Sequence, residues 1–259
     1  MKAILLCAGY ATRLYPLTKD QPKPLLPLGG KPILDYVLEK LETISSVNEV
    51  FVVTNDRFYE HFKKWAQTKG YPWKTEVVND GTATNETRLG AIGDMRLVVQ
   101  KFKIREDLAV FAGDNIFRSN LKSFIAFAES HRPNSSVGVI DVKNIELAKQ
   151  YGIVETDKNS KIVQFLEKPS QPPSTLASTG VYWFAKESLN LLDRYVNEGH
   201  NADRPGDYIR WLVSVDQVFA YPFEGHWFDI GDMNSYREAD STIGKEVSSK
   251  EKIKKLKGF

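Results

Sequence analysis

Short runs of β-branched, aromatic and aliphatic residues recur along the 259-residue chain, separated by stretches whose apolar residues return with helical spacing. The runs Ala3–Cys7, Glu49–Thr54, Leu108–Ala112, Ser136–Val142, Ile162–Phe165, Gly180–Phe184 and Gln217–Tyr221 predict strands. Several are apolar throughout rather than alternating, as strands covered on both faces should be. Pro32 opens a predicted helix that carries Ile33, Leu34, Val37, Leu38, Leu41 and Ile44 on one face. Further helices are expected over Arg57–Lys69, Glu86–Phe102 with Asn85 as N-cap, Asn120–Ser130, Lys186–Asn197 and Asp207–Leu212. Strand and helix alternate through the first half. The pattern predicts a single-domain, Rossmann-like α/β fold, doubly wound around a mostly parallel, mixed sheet, with an insert from the second half capping the first.

Composition narrows the partners. Thirty-five basic and thirty-three acidic side chains leave a formal charge of +2, so bulk electrostatics points to neither nucleic acid nor membrane. The one cysteine, Cys7, excludes an internal disulfide and a cysteine-rich zinc site. The N-terminus has no signal-peptide pattern, and no apolar run approaches the ~20 residues of a membrane span. The expectation is a soluble, cytoplasmic protein. Pro169–Ser174 reads as a connection, not a linker, and the Lys-rich end as a solvated tail, giving a domain over residues 1–244 and a tail over 245–259.

The first strand runs into Cys7-Ala8-Gly9-Tyr10-Ala11-Thr12-Arg13-Leu14, where small residues would let backbone N–H groups approach a polyphosphate. Arg13 adds a planar cation suited to phosphate oxygens, and Lys23 follows between Pro22 and Pro24 in a stiff segment. A tight turn followed by a solvated Pro-rich loop has the same composition. The strand Leu108–Ala112 ends in Gly113-Asp114, which puts a carboxylate at the same edge of the sheet; Asp114 could bind Mg²⁺, or be a turn residue or cap. Glu167 and Lys168 lie at another strand end, as an acceptor and a cation or as an ordinary surface pair.

The run LCAGYATRLYPLTKDQPKPLLPLGGKPI resembles the signature of the sugar-1-phosphate nucleotidyltransferases (sugar-nucleotide pyrophosphorylases), LAGGxGTRLxPLT followed by PKxLLP, with the glucose-1-phosphate thymidylyltransferases nearest. Ala8 and Ala11 stand where that family usually has glycine. GDNIF over Gly113–Phe117 resembles its metal-binding segment, and Trp227-Phe228-Asp229-Ile230-Gly231 its WxDxG motif. QYGIV, FLEKP and STGVY resemble its YGxV, EEKP and TGxY segments, in the same order; Leu166 replaces the first Glu.

The resemblance implies the following roles. Leu6, Ala8, Gly9, Tyr10, Ala11, Thr12, Arg13 and Asp114 would bind the nucleoside triphosphate, Asp114 and Asp229 would hold Mg²⁺, and Arg13 and Lys23 would be catalytic. Gly152, Glu167, Lys168, Thr179 and Gly180 would bind the sugar phosphate in a sugar-binding insert; apart from the resemblance, most Trp and Tyr residues read as core or rim, though Trp227 and Tyr182 could line the pocket. Asp232 is expected to cap a helix beginning near Asn234. Asn79 and Gly81 could read a base, but the family's Gln and Leu-Ala are missing beside them, and the choline-phosphate cytidylyltransferases also carry an Asn-Asp pair there.

The implied reaction transfers a nucleoside monophosphate from a triphosphate, dTTP or UTP first, to a sugar 1-phosphate, glucose 1-phosphate first, releasing pyrophosphate. Two other readings stand beside it. One is cytidylyl transfer to choline phosphate or another non-sugar phosphate. The other is a non-catalytic, nucleotide-sensing regulatory subunit, which would expect loss of Arg13, Lys23 or one metal Asp; all four are in place. The sequence stops soon after the Asp229 motif, so no appended domain is expected.

Overall fold

The computed structural model describes the backbone of residues 1–256 and the side chains of residues 1–246. The first half runs β1 (Lys2–Leu6), β2 (Pro27–Leu28), β3 (Lys31–Pro32), α1 (Ile33–Leu41), β4 (Glu49–Thr54), α2 (Tyr59–Gln67), β5 (Lys74–Asn79), α3 (Gly90–Lys101), β6 (Leu108–Ala112), β7 (Asn115–Phe117) and α4 (Leu121–Ser130). The second half adds β8 (Ser135–Asp141), α5 (Ile145–Ala148), β9 (Gly152–Thr156), β10 (Ile162–Glu167), β11 (Leu176–Phe184), α6 (Leu189–Asn197), α7 (Pro205–Val215), β12 (Val218–Pro222), β13 (Trp227–Asp229) and α8 (Met233–Leu256).

β5, β4, β1 and β6 lie side by side and parallel. β11 joins β6 antiparallel, and β8, β9, β10 and β12 complete a nine-stranded sheet. This is the doubly wound, mixed α/β sheet that the hydrophobic pattern predicts. The second half lengthens the sheet rather than laying a separate layer over it.

Alternation along the strands explains their unbroken apolar runs. Ala3, Leu5, Val50, Val52, Ala109 and Phe111 face the layer made by α1, α2 and α4. Ile4, Phe51, Val53, Leu108 and Val110 face α3, α6 and α7. Both faces are dry, so both sets of side chains are apolar. Phe51 and Phe111 are fully buried, each removing a side chain from water for about 2 kcal/mol.

Four differences from the sequence expectations have physical causes. The helix expected from Glu86 begins at Gly90, because Gly90 has φ +77° and the Ala91 and Ile92 N–H groups bond to the carbonyls of Asp203 and Ala202. Asn85 therefore lies in a turn and caps nothing. β5 escaped the pattern because it is a polar edge strand, KTEVVN, paired only with β4. The three-residue strands of the β7–β13 ribbon are too short to carry a periodic signal, and β9, GIVET, ends in polar residues that blunt its apolar run. The expected boundary at residue 245 falls inside α8, and residues 257–259 of the expected tail lie outside the described residues. Asp232 does cap α8, accepting from the Asn234 and Ser235 N–H groups at 2.9 Å each. Among the described residues no helix is long and apolar enough to cross a membrane.

Candidate active site

The loop after β1 sits at the carboxyl edge of the sheet, between β4 and β6, where open α/β sheets bind ligands. Two buried contacts hold it. Asn55, fully buried at the end of β4, donates to the Ala8 carbonyl at 2.8 Å and accepts from the Phe58 N–H at 3.1 Å. The Tyr10 hydroxyl donates to the Thr82 carbonyl at 3.3 Å. Ala11 then turns the chain in the left-handed region, φ 47° and ψ 43°, into the short 3₁₀ turn Thr12–Leu14. That turn buries Leu14 and leaves the Arg13 guanidinium exposed. Glycine would adopt the Ala11 conformation freely, whereas an L side chain costs ~1–2 kcal/mol there. Ala8, buried and without positive φ, has no such need.

The loop after β6 packs directly on this one. Gly113 donates to the Leu6 carbonyl at 3.0 Å, and a Cβ at Gly113 would overlap the Cys7 sulfur. Leu6, Gly9, Ala11, Arg13, Lys23 and Asp114 thereby line one cavity of about 210 Å³.

Lys23 joins the two acidic segments. Its Nζ donates to Asp114 Oδ2 at 2.5 Å and to the Ile230 carbonyl at 2.6 Å. The β7–β13 ribbon sets Asn115 opposite Asp229, so both carboxylates are presented at one end of a single ribbon. Burial, and then the Asp114 charge, push the Asp229 carboxyl up to about 6, against the pull of Lys23, Arg13 and Lys168. Among the described residues no three His, Cys, Asp or Glu side chains gather as a metal cage. Mg²⁺ does not require one: it takes one or two carboxylates and completes its shell with phosphate oxygens and water. Two hard, crowded carboxylates, one of them raised by the other's charge, fit that ion.

A second cavity, about 170 Å³, opens on the other side of Asp229 and brings together Gly152, Glu167, Lys168, Thr179 and Gly180. Glu167 closes β10 with its carboxylate against Gly206, where a Cβ would collide with it, and beside Gly152, where a Cβ would overlap the Phe165 ring. Burial raises the Glu167 carboxyl, partly offset by Lys168. Lys168 follows at φ 47°, which turns it out of the strand line and leaves it exposed. The Thr179 hydroxyl is fully buried and donates to the Gly138 carbonyl at 2.8 Å. Gly180, at φ +72°, gives Asn115 room, and Asn115 in turn accepts from Trp227 Nε1 at 3.1 Å. Tyr151 meets Trp227 edge-on with ring centroids 4.8 Å apart. Sequence reasoning missed Asn55, Asn115 and Gly206; only Gly206 had a local signal, the Pro205-Gly206 pair opening a helix.

The family model described as nucleotidyl transferase matches residues 2–246. The chain belongs to the nucleotidyl transferase family. A Sulfolobus acidocaldarius protein that carries the provisional name mannose-1-phosphate guanyltransferase is 32% identical over 240 residues, 91% of this chain and 61% of that protein. The bifunctional protein GlmU of Methanocaldococcus jannaschii is 28% identical over 252 residues, 96% of this chain and 56% of that protein. The chain thus spans a little over half the length of these curated relatives. A crystal structure of apo UDP-glucose pyrophosphorylase superposes with a TM-score of 0.78 at 22% identity, covering 95% of this chain and 98% of that one, a likeness of fold.

In this nucleotidyl transferase fold, Asn79 and Gly81 are tied to each other and line neither cavity. Asn79 Nδ2 donates to Asp56 at 2.7 Å, and its Oδ1 accepts from the Gly81 N–H at 2.8 Å. The neighbouring Thr82 carbonyl links this turn to Tyr10 of the first loop.

Proposed function

We propose that the protein transfers a nucleoside monophosphate from a nucleoside triphosphate to a sugar 1-phosphate, with release of pyrophosphate. The observation that carries this reading is the Lys23 bridge between Asp114 and the carbonyl next to Asp229, placed between a cavity facing Arg13 and a cavity facing Lys168. Such a junction suits two phosphorylated substrates meeting at one phosphorus atom.

The sugar phosphate oxygen attacks the α-phosphorus in line, and the bond from that phosphorus to the bridging oxygen of the β-phosphate breaks. The electron pair leaves with pyrophosphate. Both substrates are anions, so the protein's task is neutralisation and alignment. Arg13 holds the β- and γ-phosphates and stabilises charge on the departing pyrophosphate. Lys23 positions the α-phosphate, and Lys168 positions the attacking phosphate. Asp114 and Asp229 would hold Mg²⁺, which when bound supplies further neutralisation of phosphate charge. Glu167 accepts from sugar hydroxyls. The incoming phosphate is already a nucleophile, so no covalent enzyme intermediate is required.

The GDNIF and EKP segments favour a sugar, glucose 1-phosphate first, and dTTP or UTP as the donor. The name of the Sulfolobus relative adds GTP to the donors worth testing. A second reading, transfer to choline phosphate or another non-sugar phosphate, draws support from the aromatic lining of the acceptor cavity by Tyr151, Phe165, Tyr182 and Trp227. The test is pyrophosphate release with Mg²⁺ for dTTP, UTP, CTP, GTP and ATP against glucose 1-phosphate, mannose 1-phosphate and choline phosphate. Turnover with a sugar phosphate is expected. Turnover only with choline phosphate would replace the first reading by the second. Nucleotide binding without turnover on any acceptor would leave a regulatory subunit.

A further inference from the structure

The turn that carries Asn79 and Gly81 holds, with α3, a pair of carboxyl groups that the reaction does not use. Asp94, on α3, is 4% exposed; its carboxyl lies against that of Asp80, and its Oδ1 is buried with no protein partner. Asp80 organises the turn. Its Oδ1 accepts from the Thr82 N–H at 2.7 Å and the Thr82 hydroxyl at 2.8 Å, and its own N–H donates to the Thr54 carbonyl at 2.9 Å. Thr82 then accepts from Tyr10 and from the Asp56 N–H, which joins the turn to the phosphate loop.

Two carboxylates cannot hydrogen-bond each other without a proton between them. We propose that Asp94 is a positioning residue for nucleotide binding: its carboxylic acid proton, donated to Asp80, holds the Asn79–Thr82 turn in its binding shape. The proposal rests on the transferase reading above.

The surroundings place the proton on Asp94. Burial, then the Asp80 charge, push its carboxyl up to about 8, and no cation acts on it. From β1 the group facing it is the buried Cys7 thiol; around Asp80 stand Asp56 and, acting with Asp80 on Tyr10, Arg57. Below pH 8 the acid donates and the turn is fixed. Above it the two carboxylates repel, and nothing nearby replaces the proton.

The experiment measures binding of each of the five triphosphates with Mg²⁺ and no acceptor, from pH 7 to 9.5, together with thermal midpoints from pH 5 to 9. For the wild type, the dissociation constant should be level to about pH 8 and then rise by up to tenfold per pH unit, one proton's worth. Asp94→Asn, which keeps a donor but cannot ionise, should bind like the wild type at pH 7 and stay level to pH 9.5. Asp94→Leu, with no donor, should bind weakly at every pH. A group raised when folded holds an extra proton relative to the unfolded chain between about pH 4 and 8, so wild-type stability should fall across that window and flatten above it. The Asn variant should lose that slope.

A wild type that binds tightly and evenly to pH 9.5, or an Asn variant with the same rise as the wild type, would overturn the role of Asp94 and leave the transferase reading untouched. A wild type that binds no triphosphate at any pH would overturn the transferase reading, and this proposal with it.

Discussion

The loop over residues 7–14 and the loop over residues 79–90 flank the same edge of the sheet, but they depend on distant residues to different degrees. Ala11–Leu14, the second half of the first loop, is set by its own neighbourhood: a left-handed Ala11, a 3₁₀ turn that buries Leu14, and the Thr18 hydroxyl bonding back to the Ala11 carbonyl at 2.8 Å, while Asn55 and Thr82 anchor only Ala8 and Tyr10. The second is shaped from outside. Asp56 holds Asn79, and Asp203 grips Arg88 with two bonds of 2.7 and 2.9 Å across 115 residues of chain. Gly90 fits against the Ala202–Asp203 backbone with no room for a Cβ. On the proposed reading, the contacts common to every triphosphate fall on the loop whose turn is fixed close by in sequence. The candidate base-reading loop depends on distant side chains, and the bond from Tyr10 to the Thr82 carbonyl couples it to the first loop.

The comparison can be tested at three strengths. Asp114→Ala acts on the shared chemistry and should lower turnover by at least ~10³-fold in a pyrophosphate-release assay. Circular dichroism should show an intact fold, because the substitution removes a charge that crowds Asp229. Near-normal turnover would sink the metal assignment. Gly90→Ala acts on the outside support of the second loop, where φ is +77° and a Cβ would overlap Asp203 and Ala202. It should lower stability by about 2–3 kcal/mol in urea unfolding and raise the triphosphate KM more than it lowers kcat. An unchanged KM would mean that the second loop does not meet the nucleotide. Ala11→Gly acts on the first loop alone. It should raise stability by no more than ~1 kcal/mol, the relief of left-handed strain less the added freedom of the unfolded chain, with turnover retained. A clear loss of stability would mean that the Ala11 methyl contributes packing beyond its backbone role.

The same contrast explains what was legible in the sequence. The central strands announced themselves because both faces are buried, so Ala3–Cys7 and Leu108–Ala112 are apolar without a break. Arg13, Lys23, Asp114 and Asp229 stood out because each lies in a short run that resembles a family motif, where local composition alone left a turn or a cap equally open, and the structure gathers all four at one junction. Glu167 and Lys168 likewise share one cavity with Gly152, Thr179 and Gly180. Asn55, Asn115 and Asp94 could not be picked out, since a polar residue inside a strand-end or helix sequence looks the same whether it faces water or a buried partner. Only the fold brings Asn55 to Ala8 and Asp94 to Asp80. Gly90 was absorbed into a predicted helix because the carbonyls that cap it come from residues 202 and 203, over a hundred positions away.

The measurement that bears most directly on the central claim is ³¹P NMR of the wild type with Mg²⁺, a triphosphate and a sugar 1-phosphate. The account predicts that the sugar phosphate signal and the triphosphate signals disappear together. A diphosphate diester and free pyrophosphate should replace them in equal amounts, and the Asp114→Ala variant should leave the spectrum unchanged. Orthophosphate in place of pyrophosphate, or triphosphate loss without a new diester, would contradict it.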